Sequence, residues 1–411
     1  MESKGKNIPK LRFPSFEGDW EVEKIHDLFE IRNGYTPSKA TPEYWENGTI
    51  PWFRMEDIRE NGNILYDSMQ HISKSAIKGN KLFKANSIIV ATSATIGEHA
   101  LIKVDSMANQ RFTNLAIKEN YAQLLDTMYI YHYMFIVDEI CKKNTNMNAF
   151  ASVDMKTFGN IPFSFPALPE QQKIASCLSS LDGQISAEQS RLESLSQHKR
   201  GLMQQLFPQE GETAPKLRFT GFEGDWEFVS GDTLFEPISN KHHNSDLPLL
   251  ALTQDQGAVP RELIDYNVIA TEKSISGYKV VEVGDFIISL RSFQGGIEYS
   301  RYRGLCSPAY IILRGKNKKI VSDFYRIYFK SHKYIQELNK NLEGIRDGKM
   351  ISYKQFSEIN LPFPTLPEQQ KIASCLTAID NLIAAQQERI EALKQHKRGL
   401  MQQLFPAVAN E

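Results

Sequence analysis

Several short polar clusters carry the side chains best suited to recognising another molecule by hydrogen bonds. Asn109-Gln110-Arg111 groups three residue types that reach nucleic-acid base edges. Tyr35, Thr36 and Lys39 fall in the turn Gly34-Tyr35-Thr36-Pro37-Ser38-Lys39, and Ser93 and Thr95 come just before Gly97. Later in the chain Arg291, Ser292 and Gln294 recur in one tetrapeptide, Arg301 and Arg303 follow it, and Lys241-His242-His243 and Gln254 precede it. Lysine and arginine on phosphates supply affinity, whereas arginine, asparagine and glutamine on base edges supply sequence discrimination. For any single member of these clusters the ordinary alternative is turn capping or solvated surface. The two histidines read as solvated rather than as metal ligands. Clustering after matching strands is what raises the group above background.

Catalytic chemistry finds no comparable support. Gly344-Ile345-Arg346-Asp347-Gly348-Lys349 has the wrong spacing for a phosphate loop, and no dinucleotide fingerprint or HExxH pair occurs. Asn160-Ile161-Pro162-Phe163 and Asn360-Leu361-Pro362-Phe363 superficially resemble the substrate loop of amino-methyltransferases, but lack its second proline and an upstream cofactor motif. Both read as exits from a globular domain. Cys141, Cys177, Cys306 and Cys375 form no CxxC pair, so neither a zinc site nor a disulfide framework is indicated.

The elements that position these clusters come twice. KLRFPSFEGDWE (10–21) returns as KLRFTGFEGDWE (216–227), LPEQQKIASCL (168–178) returns at 366–376, and QHKRGLMQQLFP (197–208) returns at 395–406. The last two pairs share an offset of 198 residues. Between these blocks, residues 22–162 and 228–361 share only a faint framework. Ala85–Val90 and Val283–Ile288, one offset apart, each read as a turn followed by a buried strand. One fold carrying different side chains implies one task performed on two targets. Duplication followed by drift is the bland alternative, but drift should also have eroded the linking blocks.

Those blocks are helical. Ile174, Leu178, Leu181, Ile185, Leu192, Leu195, Leu202 and Leu206 step alternately by four and three, a heptad seam with missing beats at Glu188 and Lys199. Ile372, Leu376, Ile379, Ile383, Ile390, Leu393, Leu400 and Leu404 repeat it, with missing beats at Gln386 and Lys397. Pro169 and Pro367 suit helix starts, and Pro208 and Pro406 stop the helices. Each helix would run about 38 residues, or about 57 Å. Two matching seams predict a left-handed pair, and antiparallel pairing would place the two variable domains at opposite ends of a rod. The alternative is that each helix packs on its own domain. Gly201 and Gly399 are explained either by close approach of another backbone or by a frayed last turn. Lys199, Arg200, Gly201, Lys397, Arg398 and Gly399 are candidates for docking a partner, or else a solvated helix face.

The expected fold class is α+β: two globular α/β domains joined by two long helices in an antiparallel coiled coil, a pseudo-twofold repeat. The expected divisions are 1–166, 167–208, 209–364 and 365–407. Formal net charge over the 411 residues is −1, so a nucleic-acid surface must be a local patch. Residues 291–349 carry a net +8, whereas residues 22–162 carry a net −1 despite Lys74, Lys78, Lys81 and Lys84. The opening MESKGKNIPK lacks the apolar core of a signal peptide, and no run long enough to span a membrane occurs. A soluble, cytoplasmic chain is the expectation.

GDWE followed by the GYTPS turn, Tyr44-Trp45, Gly48-Thr49-Ile50-Pro51-Trp52, Asn109-Gln110, and LPEQQKIA leading to KRGLMQQLF resembles the specificity (S) subunits of bacterial type I restriction-modification systems. The resemblance covers essentially the whole chain. It implies two target-recognition domains, each binding one half of a bipartite site on double-stranded DNA, with the coil setting the gap. It implies two methylation (M) subunits that methylate adenine N6 with S-adenosylmethionine, and two restriction (R) subunits that use ATP and Mg. It implies no catalysis and no cofactor in this chain. A first variable domain that is not net basic leaves phosphate binding in part to the M subunits. The competing readings are a protein-binding scaffold and a fused methyltransferase-specificity enzyme.

Overall fold

The computed structural model describes residues 7–79, 82–93, 96–144, 154–244, 246–264, 272–290, 292–340 and 351–406. The chain divides into two compact units, Met1–Glu188 with Arg389–Glu411, and Gln189–Glu388. Each unit thus holds one globular part and a portion of both long helices.

In the first unit the strands are β1 (Glu21–Lys24), β2 (Phe29–Asn33), β3 (Ile50–Phe53), β4 (Ile64–Leu65), β5 (His71–Ile72), β6 (Ser87–Ala91), β7 (His99–Ile102), β8 (Met107–Ala108), β9 (Phe112–Ile117) and β10 (Pro162–Phe165). Helix α1 (Thr127–Asn144) precedes β10, and α2 (Leu168–Leu206) follows it. A five-stranded sheet runs β2-β9-β6-β7-β4, and a three-stranded sheet runs β5-β3-β8. Strand β6 is buried on both faces, as its unbroken apolar run requires. Ile88 and Val90 pack toward Tyr129, Tyr133, Met134 and Val137 of α1. Ile89 and Ala91 point the other way, into Phe53, Phe83, Ala100 and Phe112.

In the second unit the strands are β11 (Glu227–Ser230), β12 (Phe235–Ile238), β13 (Leu250–Thr253), β14 (Gly257–Pro260), β15 (Lys279–Val281), β16 (Phe286–Ile288), β17 (Glu298–Tyr299), β18 (Gly304–Cys306), β19 (Ile311–Gly315) and β20 (Asn360–Phe363). Helices α3 (Ser322–Tyr328) and α4 (His332–Lys340) precede β20, and α5 (Leu366–Leu404) follows it. The sheet runs β12-β19-β16-β17. Phe286 and Ile288 face the helices, while Ile287 faces Val281, Cys306 and Ile312, as in the first unit. The turn into each central strand needs a left-handed residue. Asn86 (φ 61°) supplies it in one unit and Gly284 (φ 99°), one repeat offset on, in the other. The two Asn-x-Pro-Phe segments are indeed exits. Strands β10 and β20 pair antiparallel with β1 and β11 and lead straight into the long helices.

The repeated blocks are retained because they bind each other. In the first unit Leu11 N donates to Gln403 O at 2.9 Å, so the segment touches the last turn of α5. The Arg12 guanidinium then forks onto the Glu170 carboxylate at the start of α2, at 2.8 and 2.7 Å, and also donates to Gly18 O. Gln171, fully buried, accepts from Asp126 N and donates to Leu124 O and Pro166 O. The second unit repeats each contact. Leu217 N donates to Gln205 O, Arg218 forks onto Glu368, and Gln369 takes Val321 N, Lys319 O and Pro364 O.

The two long helices pair antiparallel within each unit. In the first, Asp182 meets Lys397 at 2.5 Å and Glu188 meets Arg389 at 2.7 Å, ascending α2 while descending α5. In the second, Lys199 meets Asp380 at 2.5 Å, and Leu206 lies in one apolar cluster with Ile372, Leu376 and Ile379. Seam residues Ile174, Leu178, Ile372, Leu376, Ile379 and Ile390 are buried; Leu181, Ile185, Leu192, Leu195, Ile383 and Leu393 are half-buried. At the helix ends the seam and the domain core are the same surface. Ile174 and Leu178 join Tyr129 and Phe163 of the first globular part together with Met401, Leu404 and Phe405. Packing on the adjacent domain and packing on the other helix are therefore not exclusive.

Candidate nucleic-acid interface

In the first unit three of the polar clusters converge on one end of the five-stranded sheet, where β2 and β6 finish and β9 begins. Gly34 N donates to Phe112 O at 2.8 Å and Tyr35 N to Ala108 O at 2.9 Å, laying the 34–39 turn against the 109–111 turn. A Cβ on Gly34 would stand 2.2 Å from Asn109 O, so only glycine permits this approach. Asn109 Oδ1 accepts from Arg111 N at 3.0 Å, an Asx-turn that fixes the loop. Thr36 Oγ1 donates to Gln110 Oε1, leaving the amide NH2 of Gln110 outside that bond. Thr92 N donates to Arg111 O at 2.9 Å, which brings half-buried Ser93 to the same end. Thr36, Lys39, Gln110 and Arg111 are exposed.

Tyr35 serves this surface from below. Its hydroxyl donates to Ala76 O and accepts from Lys78 N at 3.0 Å, and burial pushes its pKa above the usual phenol value. It positions the turn. Thr95 lies outside the described residues, as does Lys81. Lys74, Lys78 and Lys84 are exposed, with Lys84 paired to Asp105 at 3.0 Å.

The corresponding sheet end in the second unit lies where β12 and β16 finish and β19 begins. Lys241 and His242 are exposed there, and His243 Nε2 sits 3.2 Å from Tyr278 O. Gln254 and Gln294 are exposed neighbours of one lysine-centred cluster. Lys330 Nζ donates to Gln254 O (3.1 Å), Gly295 O (2.9 Å) and the Glu298 carboxylate (2.7 Å). Ser292 is corrected from reader to support. It is 1% exposed, and its hydroxyl accepts from Ser289 N at 2.8 Å. Arg301 and Arg303 do not join this end. Arg303 pairs with Glu282 at 3.2 Å, before the start of β16, whereas Gln294 follows its end. Arg291, like residues 344–349, lies outside the described residues.

Sequence reasoning missed Ser307-Pro308-Ala309, which lead into β19 as Asn109-Gln110-Arg111 lead into β9. The repeat offset of 198 was the available signal, since it maps 109–111 onto 307–309. These residues are exposed or half-buried, and Tyr310 O accepts from Lys279 Nζ at 2.7 Å.

Of the docking candidates, Lys199 and Lys397 are already engaged with Asp380 and Asp182. Arg200 and Arg398 are exposed. A Cβ on Gly201 or Gly399 would meet nothing within 4 Å, so no close approach among the described residues requires either glycine. Among the described residues no group of three His, Cys, Asp or Glu side chains could hold a metal ion, and no helix is long and apolar enough to cross a membrane. The buried thiols of Cys141 and Cys306 are pushed up by desolvation to about 11 and about 12, which makes them poor nucleophiles.

Two related globular domains of unlike surface, joined by two long helices, define a duplicated recognition protein. A family model for the type I restriction modification DNA specificity domain matches residues 17–197 and again 225–395, and the chain belongs to that family of specificity subunits. It is 57% identical over 155 residues to the type I restriction enzyme EcoprrI specificity subunit of Escherichia coli, a match spanning 37% of this chain and 39% of that relative. It is 25% identical over 420 residues to the MjaVIII specificity subunit of Methanocaldococcus jannaschii, covering 98% of this chain and 95% of that one. The fold matches the crystal structure of a type I restriction-modification S subunit from M. genitalium, with a TM-score of 0.57 at 16% identity over 98% of this chain and 100% of that one.

Proposed function

We propose that the two sheet ends each read one half of a bipartite double-stranded DNA site. The observation that carries this is the contrast between the two copies. The helix blocks and the clamps that hold them are the same in both, while the exposed residues at matching sheet ends differ: Thr36, Gln110 and Arg111 in one, Lys241, His242 and Gln294 in the other. Two unlike polar surfaces on one scaffold suit two unlike half-sites. The 39-residue helices would then set the interval between half-sites.

In this reading the chain supplies specificity and no bond-making chemistry. M subunits docked on it would methylate adenine N6 with S-adenosylmethionine, and R subunits would add ATP- and Mg-dependent restriction, all in the bacterial cytoplasm. Long-read mapping of N6-methyladenine in cells expressing this chain with an M subunit tests it. The expected result is one motif of two unlike halves separated by a fixed gap. Methylation with no dependence on this chain, or a single uninterrupted motif, would refute it.

A further inference from the structure

The apolar seam alone does not specify how the two long helices align. Leucines and isoleucines at heptad spacing pack comparably after a slip of seven residues, and two helices with the same pattern could also pair parallel. The missing beats remove that freedom. Lys199 and Lys397 stand one repeat offset apart, and so do their partners Asp380 and Asp182. We propose that these two lysine–aspartate pairs set the orientation and register of the helix pair, as positioning residues for the two-part reading.

Consider the alternatives in turn. A parallel, in-register pair would place Lys199 against Lys397 and Asp182 against Asp380. Antiparallel pairing instead sets lysine against aspartate twice. A slip of one heptad would leave Lys397 facing Ala175 or Gln189 rather than Asp182, and Lys199 facing Ala373 or Gln387 rather than Asp380. Both lysines sit low in the seam, with side-chain exposures of 11% for Lys397 and 27% for Lys199, so losing the carboxylate strands a largely desolvated charge. The Lys397 ammonium also lies 5.2 Å above the Phe135 ring, which holds it over the first domain. Asp380 is held from its far side by Arg326 at 3.4 Å. A polar residue at a seam position that costs stability while fixing alignment is a known device of coiled coils.

The test uses the full chain with its M subunit. The four native cysteines are replaced by alanine, and nitroxides are placed by Gln172→Cys and Glu391→Cys, both exposed sites in the first unit and well separated along the helix axis. The parent should give one narrow label-to-label distance. Lys199→Met with Lys397→Met keeps the seam apolar and the chain folded, and should add a second population displaced by about 10 Å, one heptad of rise. Lys199→Arg with Lys397→Arg should restore the single distance. A methionine variant with the parent's single distance, or an arginine variant as heterogeneous as the methionine one, would overturn the proposal. Mapping the methylated gap of the methionine variant adds a second readout, and only that one rests on the function proposed above. A displaced distance with an unchanged methylated gap would uphold the register assignment and fault the two-part reading instead.

Discussion

Arg12 and Arg218 show why certain residues are identical in both halves while their surroundings are not. Each guanidinium closes on a nearly fully buried glutamate, Glu170 or Glu368, and each neighbouring leucine amide reaches the end of the other long helix. Removing one partner leaves a buried carboxylate uncompensated. Arg12→Ala should therefore lower stability by about 2–4 kcal/mol in urea unfolding, whereas Lys10→Ala, an exposed neighbour, should change it little. Two histidines of the first unit make a separate demand. His99 and His132 are both buried, and their pKa values are depressed chiefly by desolvation, to about 4 and about 3. A depressed pKa means that the unfolded chain binds the proton more tightly, so the stabilisation is complete above about pH 6.5 and is lost as pH falls toward those values. Stability should drop by roughly 2 kcal/mol per histidine between pH 7.5 and pH 5, and His132→Gln should flatten that dependence in pH-resolved denaturation. The repeated blocks were legible from sequence because identity 198 residues apart marks them directly. Ser292 was misread because its type suits both a base contact and a turn cap, and only the bond to Ser289 N distinguishes them. Tyr35 and the 307–309 segment were obscured in the same way, by burial and by a loop of unremarkable composition.

The elements were more legible than the sites. A heptad count fixes a helix to within a residue or two at each end, and the structure gives Leu168–Leu206 and Leu366–Leu404. Strands β6 and β16 were visible because an unbroken apolar run after a turn residue has few other uses. The small paired strands, such as β13 with β14 and β15 with β18, carry no such period and appear only when their partners do. What periodicity could not assign was the purpose of the missing beats, three of which, Glu188, Lys199 and Lys397, the structure resolves into cross-helix ion pairs. If the helices act as the spacer between half-sites, adding one heptad to both should lengthen the methylated gap and leave both halves of the motif intact. Methylome mapping of the paired insertion reads this out, and an unaltered gap would remove the spacer role.

At the scale of the whole molecule, duplication explains both what is constant and what varies. The clamps, the buried glutamines and the seam recur because each unit must assemble from parts of both long helices. The sheet ends are released from that constraint and differ. Separate readers on a common scaffold should be exchangeable one at a time. The most direct measurement is therefore to replace residues 228–361 with the equivalent domain of another specificity subunit, express the hybrid with the same M subunit, and sequence the methylated sites. The account predicts one new half-site beside one unchanged half-site, at the original gap; simultaneous change of both halves would contradict it.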